Sequence, residues 1–361
     1  MEHLAGAQRR TVVLVIAVGM GLLCGGVHAA ETAEQDANWH ADFTFLYLME
    51  EVSGAGEDIF FIDLDDDSLL DPGERKIDTA EALVDWGDPL AESLGGRVEI
   101  AYLPPEECGW SVAYLGYRAK RDEKWDSPGE DIQPRFGPDA DDASLAGLPD
   151  FQSAGRVELD LKTDLDSLEV MLQSREWRPA EDVTVRGRVG PRVVLLDDDF
   201  DIQGFDDFPP SSDADDRSDL YVDTDNDIFC VQAGLGGRWQ VSDSFGLLGD
   251  LNAGPYYADM ELDTRFREFD GDQDTWSSGD SDHEWGVLAE LHVGGELKIR
   301  RNMRLHLGYY ALWLSDTARA ISQILPGQGL DEDAVDVVAF PELQKDDCLF
   351  HGASLGLEIC W

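Results

Sequence analysis

Three sets of residues have the types and spacing to do chemistry. Asp63, Asp65, Asp67, Asp71 and Glu74 fall at positions 1, 3, 5, 9 and 12 of a loop spaced like those that hold Ca²⁺. A hard cation takes about six to eight oxygens, and carboxylates at this spacing supply most of them. Ser68 stands where such a loop has its turn glycine, and no helical pattern flanks it. The competing reading is a solvated acidic loop, and calcium is the one cofactor the chain suggests. The second set is His292, His306 and Glu296. A three-residue turn at Arg300-Arg301-Asn302 would put His306 opposite Glu296, and a His–Glu pair can orient a general base. The same pair is more often a buried polar contact. No GxSxG elbow accompanies it, so the chain reads as a non-enzyme, with a hydrolase as the remote alternative. The third set is Arg186, Arg188 and Arg192, which alternate with Val183, Val185, Val189 and Val193. With Asp250, Glu284, Glu290 and Glu296 they would form either an internal ion-pair network or a charged constriction that selects ions.

Positioning such groups needs strands, because the periodicity throughout is two. From His283 to Ile299, Trp285, Val287, Ala289, Leu291, Val293, Leu297 and Ile299 share one parity, while Glu284, Glu290, His292, Glu296 and Lys298 share the other. The same test gives about ten strands, with twelve as the alternative count. They lie near Trp39–Leu48, Arg97–Leu103, Trp110–Ala119, Val157–Ser174, Val183–Leu196, Ile228–Val241, Phe245–Tyr257, His283–Ile299, Met303–Leu314 and Cys348–Trp361. In the fourth, Val157, Leu159, Leu161 and Leu165 are odd-numbered, whereas Leu168, Val170 and Leu172 are even, which predicts a bulge near Asp164. The connections alternate between long and short. That asymmetry, with polar and apolar faces along each strand, predicts an all-β, antiparallel up-and-down transmembrane β-barrel. Long acidic loops would lie outside, and short turns and both termini in the periplasm.

The first 29 residues have the parts of an export signal: Arg9-Arg10, an apolar run from Thr11 to Leu23, and a small-residue cleavage site at Val27-His28-Ala29. Residues 30–361 would then be the barrel. The formal net charge is −49, and removing Glu2, Arg9 and Arg10 (net +1) leaves about −50. Such a charge excludes nucleic acid as a partner. The acid concentrates at Asp63 to Asp71, Asp197 to Asp201, Asp206 to Asp227 and Asp263 to Asp282, read here as outer loops. Cys108, Cys230, Cys348 and Cys360 would remain after export and allow two disulfides in three connectivities. No CxxC spacing occurs, which gives little support to a zinc or redox centre.

The stretch Asp223 to Gly234, with Thr224-Asp225-Asn226 and Gln232-Ala233-Gly234, resembles a strand of the seventh family in the numbered series of β-barrel porins. Gly308-Tyr309 and Leu312-Trp313 are similar to that family's late hairpin, and His351-Gly352 with Gly356-Leu357-Glu358 to its last strand. Cys230 departs from an expected glycine and Ile228 from an expected aromatic residue. The resemblance implies a barrel in the bacterial outer membrane. Its partners would be outer-membrane lipid and, through the C-terminal strand ending in Trp361, the barrel-assembly machinery. The leading functional expectation is a porin-like barrel passing small cations. A barrel with a filled lumen and no transport is the alternative, and an outer-membrane hydrolase the remote one. About ten strands enclose little more room than eight, whose side chains fill the interior.

Overall fold

The computed structural model describes residues 39–52, 60–62, 81–82, 92–105, 107–126, 132–134, 156–205, 217–268, 274–323 and 343–361. The export signal at residues 1–29 and the candidate calcium residues Asp63, Asp65, Asp67, Asp71 and Glu74 lie outside the described residues. Ten long strands form one antiparallel sheet: β1 (Trp39–Val52), β2 (Glu92–Tyr102), β3 (Gly109–Asp126), β4 (Arg156–Gln173), β5 (Val183–Phe205), β6 (Arg217–Gln240), β7 (Phe245–Glu268), β8 (Asp274–Arg300), β9 (Met303–Ala318) and β10 (Lys345–Cys360). Each pairs with its successor, and β1 pairs with β10 from His40↔Cys360 to Val52↔Cys348. At this seam Trp39 and Trp361 exchange backbone hydrogen bonds of 3.2 and 3.0 Å. Closure matters because it leaves no strand edge with unpaired N–H and C=O groups. A short strand, Trp177–Ala180, adds to β5, and Phe60–Ile62, Glu81–Ala82 and Ile132–Pro134 make a small separate sheet. No helix among the described residues is long and apolar enough to cross a membrane.

The strands that periodicity placed are all present, and most run further outward than expected. β5 continues through Asp197–Asp201 to Phe205, and β6 begins at Arg217 rather than Ile228. The acid in these stretches therefore sits on strands, not in loops. The reason is visible along β6. Its even-numbered residues face inward throughout: Leu220, Val222, Thr224, Asn226, Ile228, Cys230 and Gln232 are all buried. Its outward residues change from Asp219, Asp223, Asp225 and Asp227 to Phe229, Val231, Leu235 and Trp239. Parity is constant and the surroundings change. Near the short turns the strand has lipid outside, so apolar side chains face out. Beyond Phe229 it has water outside, so its apolar side chains turn inward as in a soluble barrel.

The same switch corrects the bulge expected at Asp164. β4 keeps one parity from Val157 to Gln173, with every odd residue buried. Its apolar residues change from the inner face (Val157, Leu159, Leu161, Leu165) to the outer (Leu168, Val170, Leu172) because the strand passes from water into an apolar belt. The belt's upper rim runs through Phe229, Tyr257 and Trp285, which are register partners across β6, β7 and β8. Tyr257 and Trp285 meet edge to face at 5.4 Å. The lower rim carries Trp39, Tyr102 and Trp110, with ring centroids 5.2 and 5.6 Å from Trp39. From Phe245 to Tyr257 the strand rises ~40 Å along its length at ~3.3 Å per residue, or ~30 Å of height at the usual tilt. That matches the hydrocarbon thickness of a bilayer, about 30 Å. Aromatic girdles at both levels are where amphipathic rings settle at a membrane interface.

Above the belt, the outer face of β4 to β7 carries rows of carboxylates. Asp223 is the register partner of both Asp199 and Asp263, and Asp225 of both Asp197 and Glu261. On β3 the outer face is mixed in charge, and there Lys120 reaches Asp160 at 3.0 Å and Arg118 reaches Asp164 at 3.3 Å. Like charges directly opposite destabilise a sheet. Partial burial, with Asp225, Asp199 and Asp263 around it, raises the Asp223 carboxyl to about 7. Partial burial, with Asp225 and Asp259 nearby, raises Asp227 too.

Two outcomes follow. Leu251 lies midway between the rims, 53 % exposed in the apolar belt. Leu251→Arg should cost about 2–4 kcal/mol, the depth-dependent penalty for a cation facing lipid at the midplane. Unfolding in detergent micelles or lipid vesicles reads this directly, and an unchanged stability would mean the belt does not face lipid. For Asp223, whose folded pKa lies above its ordinary 3.8, the stabilisation is whole below about pH 4 and is lost as pH rises through about 7. The outer extension should therefore unfold more readily at about pH 8.5 than at about pH 5.5, with a smaller difference in Asp223→Asn. Amide hydrogen exchange in the outer ends of β6 and β7, corrected for the intrinsic pH effect, measures it.

Candidate functional site

The barrel interior has three levels, each set by the inward parity of its strands. Nearest the short turns is a polar chamber of about 500 Å³, lined by residues that include His40, Asp42, Arg186, Arg238, Glu296 and His306. Inward glycines make room for its long side chains. A Cβ on Gly356 would collide with the His306 ring, and one on Gly236 with the Asp250 carboxylate.

Above the chamber, a buried ion-paired layer crosses the lumen. Arg192, 2 % exposed, donates to Glu290 at 2.6 Å and to Ser167 at 2.7 Å. Tyr310 and Asn252 also donate to Glu290, at 2.7 and 3.2 Å. Glu169 accepts from Arg97 and from Gln232, each at 2.7 Å. These bonds join β2, β4, β5, β6, β7, β8 and β9 across the barrel. A charge so far from water needs its partners close, and here each carboxylate has at least two donors.

The third level, in the outer half, is apolar. Leu48, Tyr117, Leu161, Leu196, Phe200, Ile228, Tyr256, Leu288, Leu312 and Phe350 are buried together. Into them a bulge at the end of β9 delivers one cation. The register breaks between Leu314 and Thr317, and Asp316 has φ 53°. The left-handed conformation there turns the chain over the barrel mouth. Asn226 clamps it: its amide donates to the Ala318 carbonyl at 2.8 Å and accepts from the Ala318 N–H at 2.8 Å. Gln323 ties the far end to Gln344, donating to its carbonyl and accepting from its N–H, both at 2.8 Å. Arg319 is thereby held inside, donating to Asp198, Glu50 and Thr163 and lying 5.9 Å from the Phe350 ring centre. Burial pushes the Glu50 carboxyl up despite the Arg319 guanidinium, and Asp198 adds to the rise.

The described lumen residues singled out by spacing fall in the two lower levels, with one exception, Glu284. Arg186 sits at the chamber's lower rim, donating to the Leu103 carbonyl at 3.2 Å and to Glu176 at 3.3 Å. Arg188 pairs with Asp250 at 3.2 Å. His292 contacts the Ser354 hydroxyl at 3.0 Å, and Glu296 faces Arg238 at 3.5 Å. His306 is the register partner of Glu296, yet its ring lies over Gly356 on β10 and donates instead to Asp42 on β1, at 2.8 Å. Glu284 lies outside this network, at the outer end of β8, where it accepts from Lys345 at 2.7 Å. Sequence spacing did not find Asp42, Arg97, Glu169, Arg238, Tyr310 or Glu358. The signal was available, since each sits on the parity opposite to apolar, lipid-facing neighbours. Glu50 and Asp198 carried a fainter one, as carboxylates at inward positions of the outer half. The four cysteines, Cys108, Cys230, Cys348 and Cys360, are free thiols.

No family model matches the chain, and no curated protein matches it. The resemblance to the seventh porin family therefore rests on the stretches quoted above. Among solved structures the chain is similar to outer-membrane β-barrels. The outer membrane protease OmpT from Escherichia coli is 10% identical, with 91% of this chain and 99% of that one covered and a TM-score of 0.45. A Pseudomonas aeruginosa FadL homologue is 7% identical, covering 90% of each chain, with a TM-score of 0.25. The toluene transporter TodX of P. putida is 7% identical over 90% of each chain, with a TM-score of 0.26.

Removing Arg319 would leave Glu50 and Asp198 facing each other without a cation. Arg319→Ala should destabilise the barrel by about 3–5 kcal/mol, the cost of breaking a buried pair. Lys124→Ala, at an exposed pair with Glu158, should cost less than about 1 kcal/mol. Urea titrations of the refolded variants in detergent compare them, and equal losses would remove Arg319 from the centre of the outer core.

Proposed function

We propose that this protein is a sealed outer-membrane β-barrel: an anchor that holds a rigid, acidic barrel extension above the lipid, rather than a pore. The observation that carries this reading is the filled lumen. A small ion entering from the short-turn side meets the Arg192–Glu290 layer, whose groups are already paired. It then meets an apolar core in which the one delivered cation, Arg319, is fully satisfied. An ion would have to shed its hydration shell among mainly apolar side chains, where Arg319 already engages the Glu50 and Asp198 carboxylates, and apolar constrictions block conduction for that reason. The porin-like and cation-preferring expectation drawn from sequence is therefore set aside in favour of the filled barrel.

The apolar belt and its two aromatic girdles support insertion in a bilayer, and Trp361 at the end of the closing strand supports handling by the barrel-assembly machinery. The extension's part follows from its charge. Opposed carboxylates on β5, β6 and β7 hold a strong negative potential just above the upper girdle, which enriches cations and repels anionic polymers. Reconstitution into a planar bilayer tests the proposal. The expected record is a baseline without conductance steps at either polarity, from protein that shifts on gels when boiled. Reproducible steps from such folded protein would overturn the sealed reading and restore the pore.

A further inference from the structure

His40, Glu358 and Cys360 converge at the seam where the barrel closes. His40 is on β1, and Cys360 is its register partner on β10. The His40 Nδ1 lies 2.9 Å from the Glu358 Oε1 and 3.3 Å from the Cys360 Sγ. The three donor atoms all lie within 4.8 Å of one another. Cys360 is 7 % exposed, and the His40 ring and Glu358 line the chamber that opens towards the short turns.

We propose that these three side chains form a site for a borderline-soft divalent metal, zinc above all, that clamps the first strand to the last. The donor set argues for the metal. A thiolate, an imidazole and a carboxylate suit Zn²⁺ or Co²⁺ and disfavour Ca²⁺ and Mg²⁺, which take oxygen alone. The spacing argues for the geometry. Bonds of ~2.0–2.3 Å at a tetrahedral centre separate ligand atoms by ~3.3–3.6 Å. The two gaps from the His40 Nδ1, 2.9 and 3.3 Å, are a few tenths of an ångström shorter, as expected where protons now bridge the donors. Three protein ligands leave a fourth position for water from the chamber.

The surroundings hold the carboxylate for this task. Arg238 and Arg304 donate to the Glu358 Oε2 at 2.6 and 3.1 Å, which leaves Oε1 turned to His40. Glu296 lies 3.5 Å from the Arg238 guanidinium and offsets part of its charge. Partners that orient a ligand in this way are part of most metal sites. On binding, the metal replaces the Cys360 thiol proton, which passes to water, while the imidazole binds as the neutral base. No CxxC pair is needed, because the barrel's closure brings together residues from the two ends of the chain.

The test uses Co²⁺, whose thiolate complexes absorb in the near ultraviolet, and the full chain in detergent under reducing conditions. Cys108→Ser is the background, since Cys108 is an exposed thiol. The expected result is a thiolate-to-cobalt band that saturates at one Co²⁺ per chain and is displaced by Zn²⁺. Adding His40→Ala or Cys360→Ser should abolish the band or weaken binding by more than about tenfold, since even an outer partner of a ligand is worth that much. Zn²⁺ should also raise the unfolding temperature of the background protein and not that of the variants, because it binds the folded state alone. A folded Cys108→Ser protein without the band would overturn the proposal, as would a band that survives Cys360→Ser. Heat modifiability reports folding, so a variant that fails to fold leaves the titration of the background protein to decide.

Discussion

A β-strand fixes its side chains alternately to two sides, and nothing along its length can exchange them except a bulge. A barrel strand that leaves the bilayer and continues into water must therefore reverse its chemistry while keeping its parity. The reversal happens at one height around this barrel, and the rest of the structure depends on it. Below that height the wall is apolar outside and polar inside. Above it the wall is acidic outside and apolar inside. Because the two halves share one hydrogen-bonded ladder, neither can shift its register without turning the other inside out.

The contents of the lumen follow from this inversion. In the lower half, inward positions face neither lipid nor bulk water, so they carry charges that must neutralise one another, and inward glycines leave room for the long side chains to meet. Arg192, Glu290, Tyr310, Glu169 and Arg97 do so as a layer across the barrel. In the upper half, the inward positions make an ordinary apolar core. The bulge after β9 turns the chain over that core and puts Arg319 between Glu50 and Asp198, where its loss would leave two buried carboxylates facing each other. The seal proposed above would thus be a consequence of two different fillings stacked end to end. The chamber below, bounded by the closing seam, is the large polar space accessible from the short-turn side, and the proposed metal ligands lie on its wall.

Much of the lower half was legible in the sequence because its signal is local. Alternation in His283 to Ile299 or Met303 to Leu314 needs only the pleat and a lipid exterior, and it gave the strands, their faces and the even count. The upper half was misread for the same reason. Asp219 to Ile228 alternates just as strictly, but with the apolar residues on the other parity. A rule that assumes lipid outside takes such a stretch for an acidic loop, or, on β4, for a bulge. His306 shows the limit at a single residue. Spacing paired it with Glu296 on the neighbouring strand, and the backbone register agrees, but its ring reaches over β10 to Asp42 because Gly356 has no side chain in the way.

The sequence by itself determined the ladder: period-two alternation, short turns and aromatic rims are properties of residues near one another in the chain. Only the tertiary structure decided what faces what across the lumen. Arg319 meets Glu50 and Asp198, and His40 meets Cys360, from opposite ends of the chain, because a sheet must close to satisfy its last edge. Closure sets the distances among inward side chains, and no pattern along one strand records the strand that stands opposite.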